Sequence, residues 1–126
     1  MRNQASANGL KIVEKAIGGN LLHYTTDVIT INTNYSEKVR NYAIALGIAM
    51  KQKGYKNPTY VDSLGRGYET LLSGREKIQK LALEILIPHM NLMVCPYRDV
   101  KEQAKYFNVP ISLMYARLGF IYFSEE

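Results

Sequence analysis

The sequence has no tryptophan, a single cysteine and four prolines among its 126 residues. Because Cys95 has no second cysteine to pair with, the sequence predicts a fold held by packing in a reducing, cytoplasmic environment. No apolar run approaches the roughly 20 residues that a membrane-spanning helix needs, so we expect no membrane partner. With 47% hydrophobic residues the chain is long enough to bury one core, which predicts a single domain over residues 1–126.

Motifs that carry catalytic chemistry are also scarce. The two histidines, His23 and His89, are not placed by any motif beside a carboxylate such as Glu84, which favours two ordinary histidines over a metal site. Residues 64–68 contain two glycines but lack the Lys-Ser/Thr that completes a phosphate-binding loop, which favours a turn. No serine lies in the G-x-S-x-G pattern of hydrolases. We therefore predict no catalytic residue, no metal and no cofactor.

The net charge of +5 comes from the first half of the chain. Residues 1–60 contain eight Lys/Arg against three Asp/Glu, whereas residues 61–96 and 97–126 are each balanced. The excess includes the candidate partner-binding residues, which are Lys38, Arg40, Lys51, Lys53 and Lys56. A solvated basic rim and a binding site for an acidic partner both explain this pattern, and the sequence does not distinguish a protein partner from a nucleic acid.

The most informative segment is a buried helix predicted over residues 34–54. Asn34 and Glu37 are spaced as in a capping box, and Gly54 is a natural helix stop. The middle of the segment, residues 42–50, carries no charge, and every second residue from 43 to 49 is Ala or Gly. Such a helix is expected to lie inside the protein with its neighbours packed close to its backbone.

The remaining patterns predict mainly helices with a small antiparallel sheet. Two short strands at 21–24 and 28–31 form a hairpin around residues 25–27, and residues 55–63 form a loop. Helices are predicted over residues 7–17, 64–72, 73–87, 99–107 and 110–118. The helix over 73–87 opens with a capping box and is closed by Pro88, and Asp99 and Glu102 are expected to cap the next one.

The order of these segments resembles the ImmA/IrrE family of zinc metallopeptidases. Residues 27–32 look like the strand that leads into the family's H-E-x-x-H helix, and Arg40 matches the arginine that often begins this motif. Residues 77–88 are similar to the helix that supplies the family's third zinc ligand, and residues 99–118 look like its closing helical pair. The resemblance covers roughly residues 8–119 and implies an α+β, mainly helical, zincin-like domain with a small antiparallel sheet.

The positions that carry the family's chemistry are changed in this chain. In the motif two histidines one turn apart bind zinc and the glutamate activates water, but here the three positions fall on Ala45, Leu46 and Ala49. The third ligand position falls on Lys77, whose charge repels a cation. We refer to these four residues as the vestigial positions. They imply a pseudo-metallopeptidase that is not an enzyme.

The resemblance also implies a partner. Members of this family are often encoded by phages and other mobile elements, beside repressors that they cleave or bind. A degenerate member without zinc is therefore expected to be a protein-binding regulator, and a phage or mobile-element repressor is the expected kind of partner.

DNA binding through residues 99–118 is the alternative function. Two short helices joined at residues 107–110 are typical of a helix-turn-helix, whose second helix enters the major groove. That helix offers Ser112, Tyr115 and Arg117 but no Asn, Gln or Lys, and the surrounding segment is neutral, whereas DNA binding depends on neutralising phosphates. A residual hydrolase with relocated ligands is a third hypothesis.

Overall fold

A computed structural model describes residues 1–61 and 76–124, which contain six helices and four strands. In chain order they are α1 (Arg2–Ala7), β1 (Lys11–Lys15), β2 (Leu22–Tyr24), β3 (Val28–Asn32), α2 (Glu37–Gln52), β4 (Thr59–Val61), α3 (Glu76–Leu86), α4 (His89–Met93), α5 (Val100–Phe107) and α6 (Ile111–Ser124). The fold is α+β with more helix than strand, as predicted. The helix predicted over 64–72 and the capping box at 73–76 lie outside the described residues.

The sheet is mixed, which corrects the prediction of a purely antiparallel one. Its strand order is β1-β3-β2-β4, and β1 pairs with β3 in parallel, with Ile12 opposite Ile29. The helix predicted over residues 7–17 is therefore wrong. Gly9, at φ +76°, follows the short helix α1, and the β-branched residues Ile12 and Val13 suit a pleated strand better than a helix.

The predicted hairpin is confirmed. β2 and β3 pair antiparallel, with Leu22 opposite Ile31 and Tyr24 opposite Ile29. The loop predicted over 55–63 is partly wrong, because Thr59–Val61 forms β4 on the free side of β2. Thr, Tyr and Val favour strands, but three residues are too few to show alternation in a sequence.

The central helix is confirmed, with a different start. α2 begins at Glu37, and Ser36 is its N-cap, whose Oγ accepts a hydrogen bond from the Val39 amide at 3.4 Å. The cap predicted at Asn34 is wrong because the chain is still in a turn there, where the Asn34 amide donates to Oδ1 of Asn32 at 2.9 Å. The predicted stop is confirmed at Gly54, which has φ +75°.

The core surrounds α2. All nine residues from Tyr42 to Met50 are buried, and the helix packs against the sheet on one side and against α1 and α3 on others. Gly47 faces the sheet so closely that a Cβ atom there would lie 2.7 Å from Cγ2 of Ile29. The predicted close approach of a neighbour to the backbone of this segment is therefore confirmed at Gly47.

The C-terminal helices enclose a second, smaller apolar cluster. Ile87, Ala104, Val109 and Met114 are its buried members, and Leu86 packs against both this cluster and the main core. α3 ends just before Pro88, as predicted, whereas α6 continues to Ser124 instead of ending at 118. Asp99 is the N-cap of α5, but its side chain makes no capping hydrogen bond, contrary to the prediction.

Candidate functional site

Three of the four vestigial positions lie in the interior. Ala45 and Ala49 are fully buried on α2 and Leu46 is 3% exposed, whereas Lys77 is exposed on α3. α3 packs along α2, so the two helices that the resemblance pairs are adjacent. The four positions nevertheless do not share one solvent-accessible surface, and the α2 positions carry methyl and isobutyl groups that neither ligate a metal nor transfer a proton.

Lys77 instead lines a surface depression near the C-terminal end of α2. The depression has a volume of about 230 Å³ and is lined by Lys53, Lys77, Lys80, Leu81 and Glu84. Lys80, Leu81 and Glu84 follow Lys77 by three, four and seven positions, which places all four on one face of α3. A vestigial position and a candidate partner-binding residue, Lys77 and Lys53, therefore meet at one place. We refer to it as the lysine depression.

The five basic candidates do not form one patch. Lys38 and Arg40 lie in the first turn of α2, whereas Lys51, Lys53 and Lys56 lie at or beyond its last turn. A 16-residue helix is roughly 24 Å long, so the two groups lie at opposite ends of the molecule's central helix. A partner of modest size would contact one group or the other.

Two of the basic candidates are less accessible than the others: Lys51 binds within the fold and Arg40 is half-buried. Nζ of Lys51 donates to the carbonyl of Thr26 at 2.8 Å and lies 3.3 Å from Oδ1 of Asp27, which ties the hairpin turn to the end of α2. Arg40 is half-buried, and its Nε has no hydrogen-bond partner among the described residues. Lys38, Lys53 and Lys56 are exposed and are therefore the candidates that a partner reaches most easily.

The histidines occupy two different kinds of site. His23 lies in β2 and stacks in parallel on Tyr60, with ring centroids 4.0 Å apart, whereas His89 is exposed at the start of α4. Within residues 1–61 and 76–124, no group of three or more His, Cys, Asp or Glu residues is arranged to hold a metal ion.

The C-terminal helical pair holds its only arginine inside the fold. Arg117 is 3% exposed, and its Nε donates to the carbonyl of Ile87 at 2.9 Å. Burial lowers the pKa of the guanidinium, and the nearby charge of Glu84 partly offsets this. Because Arg117 is buried, it is not available to a DNA groove in this conformation. Among the predicted base readers of α6, Tyr115 is the most exposed, at 59%.

The sequence did not predict a group of exposed apolar side chains in the C-terminal part of the chain. Most of the large apolar side chains that are exposed in the described residues lie between 90 and 115; they are Met90, Met93, Val94, Tyr97, Tyr106, Ile111 and Tyr115. Two of them, Tyr97 and Tyr106, pack edge to face with ring centroids 6.0 Å apart. The five-residue helix α4 has no buried residue and is too short to show a periodicity that would have revealed its exposed apolar side chains.

Two buried tyrosines on or against α2 differ in their hydrogen bonding. Tyr42 is 1% exposed and its hydroxyl has no partner among the described residues, whereas the Tyr24 hydroxyl donates to the carbonyl of Tyr55 at 3.0 Å. Burial raises the pKa of the Tyr42 phenol well above its usual value of 10.0.

No helix in the described parts of the chain combines the length and apolar character needed to cross a bilayer. Comparison with protein-family models, with curated proteins and with solved structures gave no match for this chain.

Proposed function

We propose that this chain is a non-catalytic, protein-binding regulator, built like a pseudo-metallopeptidase of the ImmA/IrrE type, whose partner is a repressor of a phage or mobile element. The proposal combines the resemblance in sequence with the geometry of α2. The observation that carries it is the burial of Ala45, Leu46 and Ala49 at the positions where the family's motif requires two ligands and a base.

The interior position of these residues supports loss of catalysis. A hydrolytic zinc site needs three protein ligands and an open position for water. Here the helix that would present two of the ligands is packed on several sides, and the position of the third carries the cation Lys77. Both features oppose binding of zinc at this place in the fold.

Two surfaces support binding to a protein. The apolar side chains between 90 and 115 expose rings and thioethers of the kind that are enriched in protein interfaces, and exposed apolar patches often mark interaction sites. The lysine depression adds positive charge, which steers an acidic partner.

The first test is elemental analysis of the purified full-length protein. We expect well below one zinc per chain, both as purified and after incubation with zinc followed by gel filtration. We also expect no proteolysis of a casein substrate that a chelator abolishes. About one zinc per chain, or chelator-sensitive cleavage, would overturn the proposal and favour the residual hydrolase.

The second test separates the protein partner from DNA. Immobilised wild-type protein is exposed to lysate of its native host, and bound proteins are identified by mass spectrometry while duplex DNA retention is measured at physiological salt. We expect a protein of the repressor class and little DNA. Tight DNA retention that is lost in Tyr115→Ala, an exposed position on α6, but kept in Lys53→Glu would favour the helix-turn-helix reading.

A further inference from the structure

The lysine depression joins residues from two separate segments of the chain. Lys53 follows the last turn of α2, and Lys77, Lys80, Leu81 and Glu84 share one face of α3. Among the described residues, three lysines, one glutamate and one leucine thus line the depression. The depression exists only because α2 and α3 pack together, so it is absent from the unfolded chain.

The size of the depression limits what it holds. Its volume of about 230 Å³ lies below the range of about 300 to 1,000 Å³ that is usual for small-molecule and cofactor sites. It is therefore suited to one or two side chains of a larger partner. The exposed ammonium groups of Lys53 and Lys77 favour carboxylates, and Leu81 provides apolar contact for the methylene groups that carry them.

The same features separate an acidic polypeptide from a nucleic acid. Nucleic acids are bound along extended basic tracks that neutralise successive phosphates, often with aromatic rings between them. The depression is compact and contains the carboxylate of Glu84, and none of the described residues that line it is aromatic. The other exposed basic candidate on α2, Lys38, lies at the opposite end of that helix.

We propose that the lysine depression is the docking site for an acidic segment of the protein partner, with Lys53 and Lys77 contacting its carboxylates. This assignment rests on the proposed protein-binding function and specifies the chemistry of the partner. In this proposal Lys77 attracts an anion at the position where the family has a ligand for a zinc cation.

The test measures binding of a fluorescein-labelled deca-glutamate peptide by fluorescence anisotropy at low and at physiological salt, with a labelled ten-nucleotide single strand as the second probe. We expect Lys53→Glu with Lys77→Glu to weaken peptide binding about tenfold, because two attractive contacts become repulsive. The control, Lys38→Glu with Lys101→Glu, makes the same change in net charge at two exposed positions outside the depression and is expected to change affinity less than about twofold.

A third variant moves affinity in the opposite direction. Glu84→Gln removes the negative charge that the described lining residues contribute and is expected to tighten peptide binding about two- to threefold, which an unfolded protein would not do. Thermal melts verify that each variant is folded. The proposal is overturned if wild type does not bind the peptide, if the control pair weakens binding as much as the depression pair, if the single strand binds more tightly than the peptide, or if Glu84→Gln weakens binding.

These results are distinguishable from failure of the proposed function. If the native partner captured from lysate binds wild type and the Lys53/Lys77 variant equally, the protein-binding function stands and the depression is not its site. If the protein contains stoichiometric zinc, the function fails whatever the peptide does.

Discussion

Tyr42 buries a hydroxyl in the middle of the core without a hydrogen-bond partner among the described residues. An unsatisfied buried donor costs free energy that an apolar group of the same shape does not. We expect Tyr42→Phe to leave the free energy of unfolding unchanged or to raise it by up to about 1 kcal/mol. The matched control is Tyr24→Phe, which removes the bond to the Tyr55 carbonyl and should lower it by about 1 kcal/mol.

The same residue predicts a pH dependence. Since burial raises the pKa of Tyr42, the folded state holds the phenolic proton more tightly than the unfolded state does. The contribution to stability is therefore complete below the unfolded pKa of about 10 and decreases as the pH rises above it. Urea unfolding at about pH 7 and about pH 11 should show wild type losing more stability than Tyr42→Phe. Equal losses would mean that this hydroxyl titrates normally.

Arg117 is the residue of the DNA-binding alternative whose surroundings only the structure reveals. Arginine often reads base edges, although the neutral segment around Arg117 and the few other base-reading side chains of its helix argue against that use. Its bond to the carbonyl of Ile87 joins residues 30 positions apart, a tertiary contact that no local pattern encodes. The hypothesis of DNA binding now depends on Tyr115 and Ser112 rather than on Arg117.

At the scale of elements, the contact between α2 and the sheet is sensitive to added side-chain volume at Gly47. Gly47→Ala would normally favour a helix by about 1 kcal/mol. Here the added Cβ would meet Cγ2 and Cδ1 of Ile29 at 2.7 Å and 2.9 Å, and Cγ2 is fixed close to the backbone. We expect net destabilisation of about 1–2 kcal/mol, measured by urea unfolding.

A double-mutant cycle identifies the cause. Ile29→Ala removes the two closest atoms that the new Cβ would meet and leaves Cβ of residue 29 at an ordinary contact distance of 3.5 Å, so Gly47→Ala should cost much less in that background than in wild type. Equal costs in both backgrounds would show that the close approach to the sheet is not what selects glycine at this position.

The elements that could be predicted are those with long, regular patterns. The uncharged stretch 42–50 indicated a buried helix, and the apolar period of residues 78–86 indicated another, which Pro88 ends. The elements that could not be predicted depend on pairing partners. β1 forms where residues 7–17 fit a helix, because β3 offers hydrogen-bonding partners to the strand that contains Ile12 and Val13. β4 is only three residues long, which is too short to show a pattern.

The lysine depression could not be predicted from the sequence either, since Lys53 and Lys77 meet only through packing of α2 on α3.

At the scale of the whole molecule, the two apolar clusters predict two levels of stability. Among the residues whose burial the structure describes, the C-terminal cluster has four buried members and the main core has several times as many, and Leu86 joins the two. Regions with few buried contacts open more readily than the core. We expect amides of α5 to exchange with deuterium faster than those in the middle of α2.

A variant tests whether this opening is local. Val109→Ala, at a residue 1% exposed in the C-terminal cluster, should accelerate exchange in α5 and leave the slowest amides of α2 much less affected. The matched control in the main core, Ile44→Val, should accelerate α2 instead. If Val109→Ala accelerates amide exchange equally in both helices, the chain unfolds as one cooperative unit and the C-terminal helices do not open independently.

The parallel strand β1 has a consequence for how the protein behaves at high concentration. Among the described strands β1 is an edge, with one side free to pair with a strand of another molecule. Its exposed positions are Lys11, Glu14 and Lys15, and Arg2 of α1 binds Glu14 at 2.7 Å beside it. Charged side chains on an edge strand make pairing between sheets unfavourable. β1 thus widens the sheet, and its charged side chains disfavour the addition of a further strand at that edge, which opposes aggregation there.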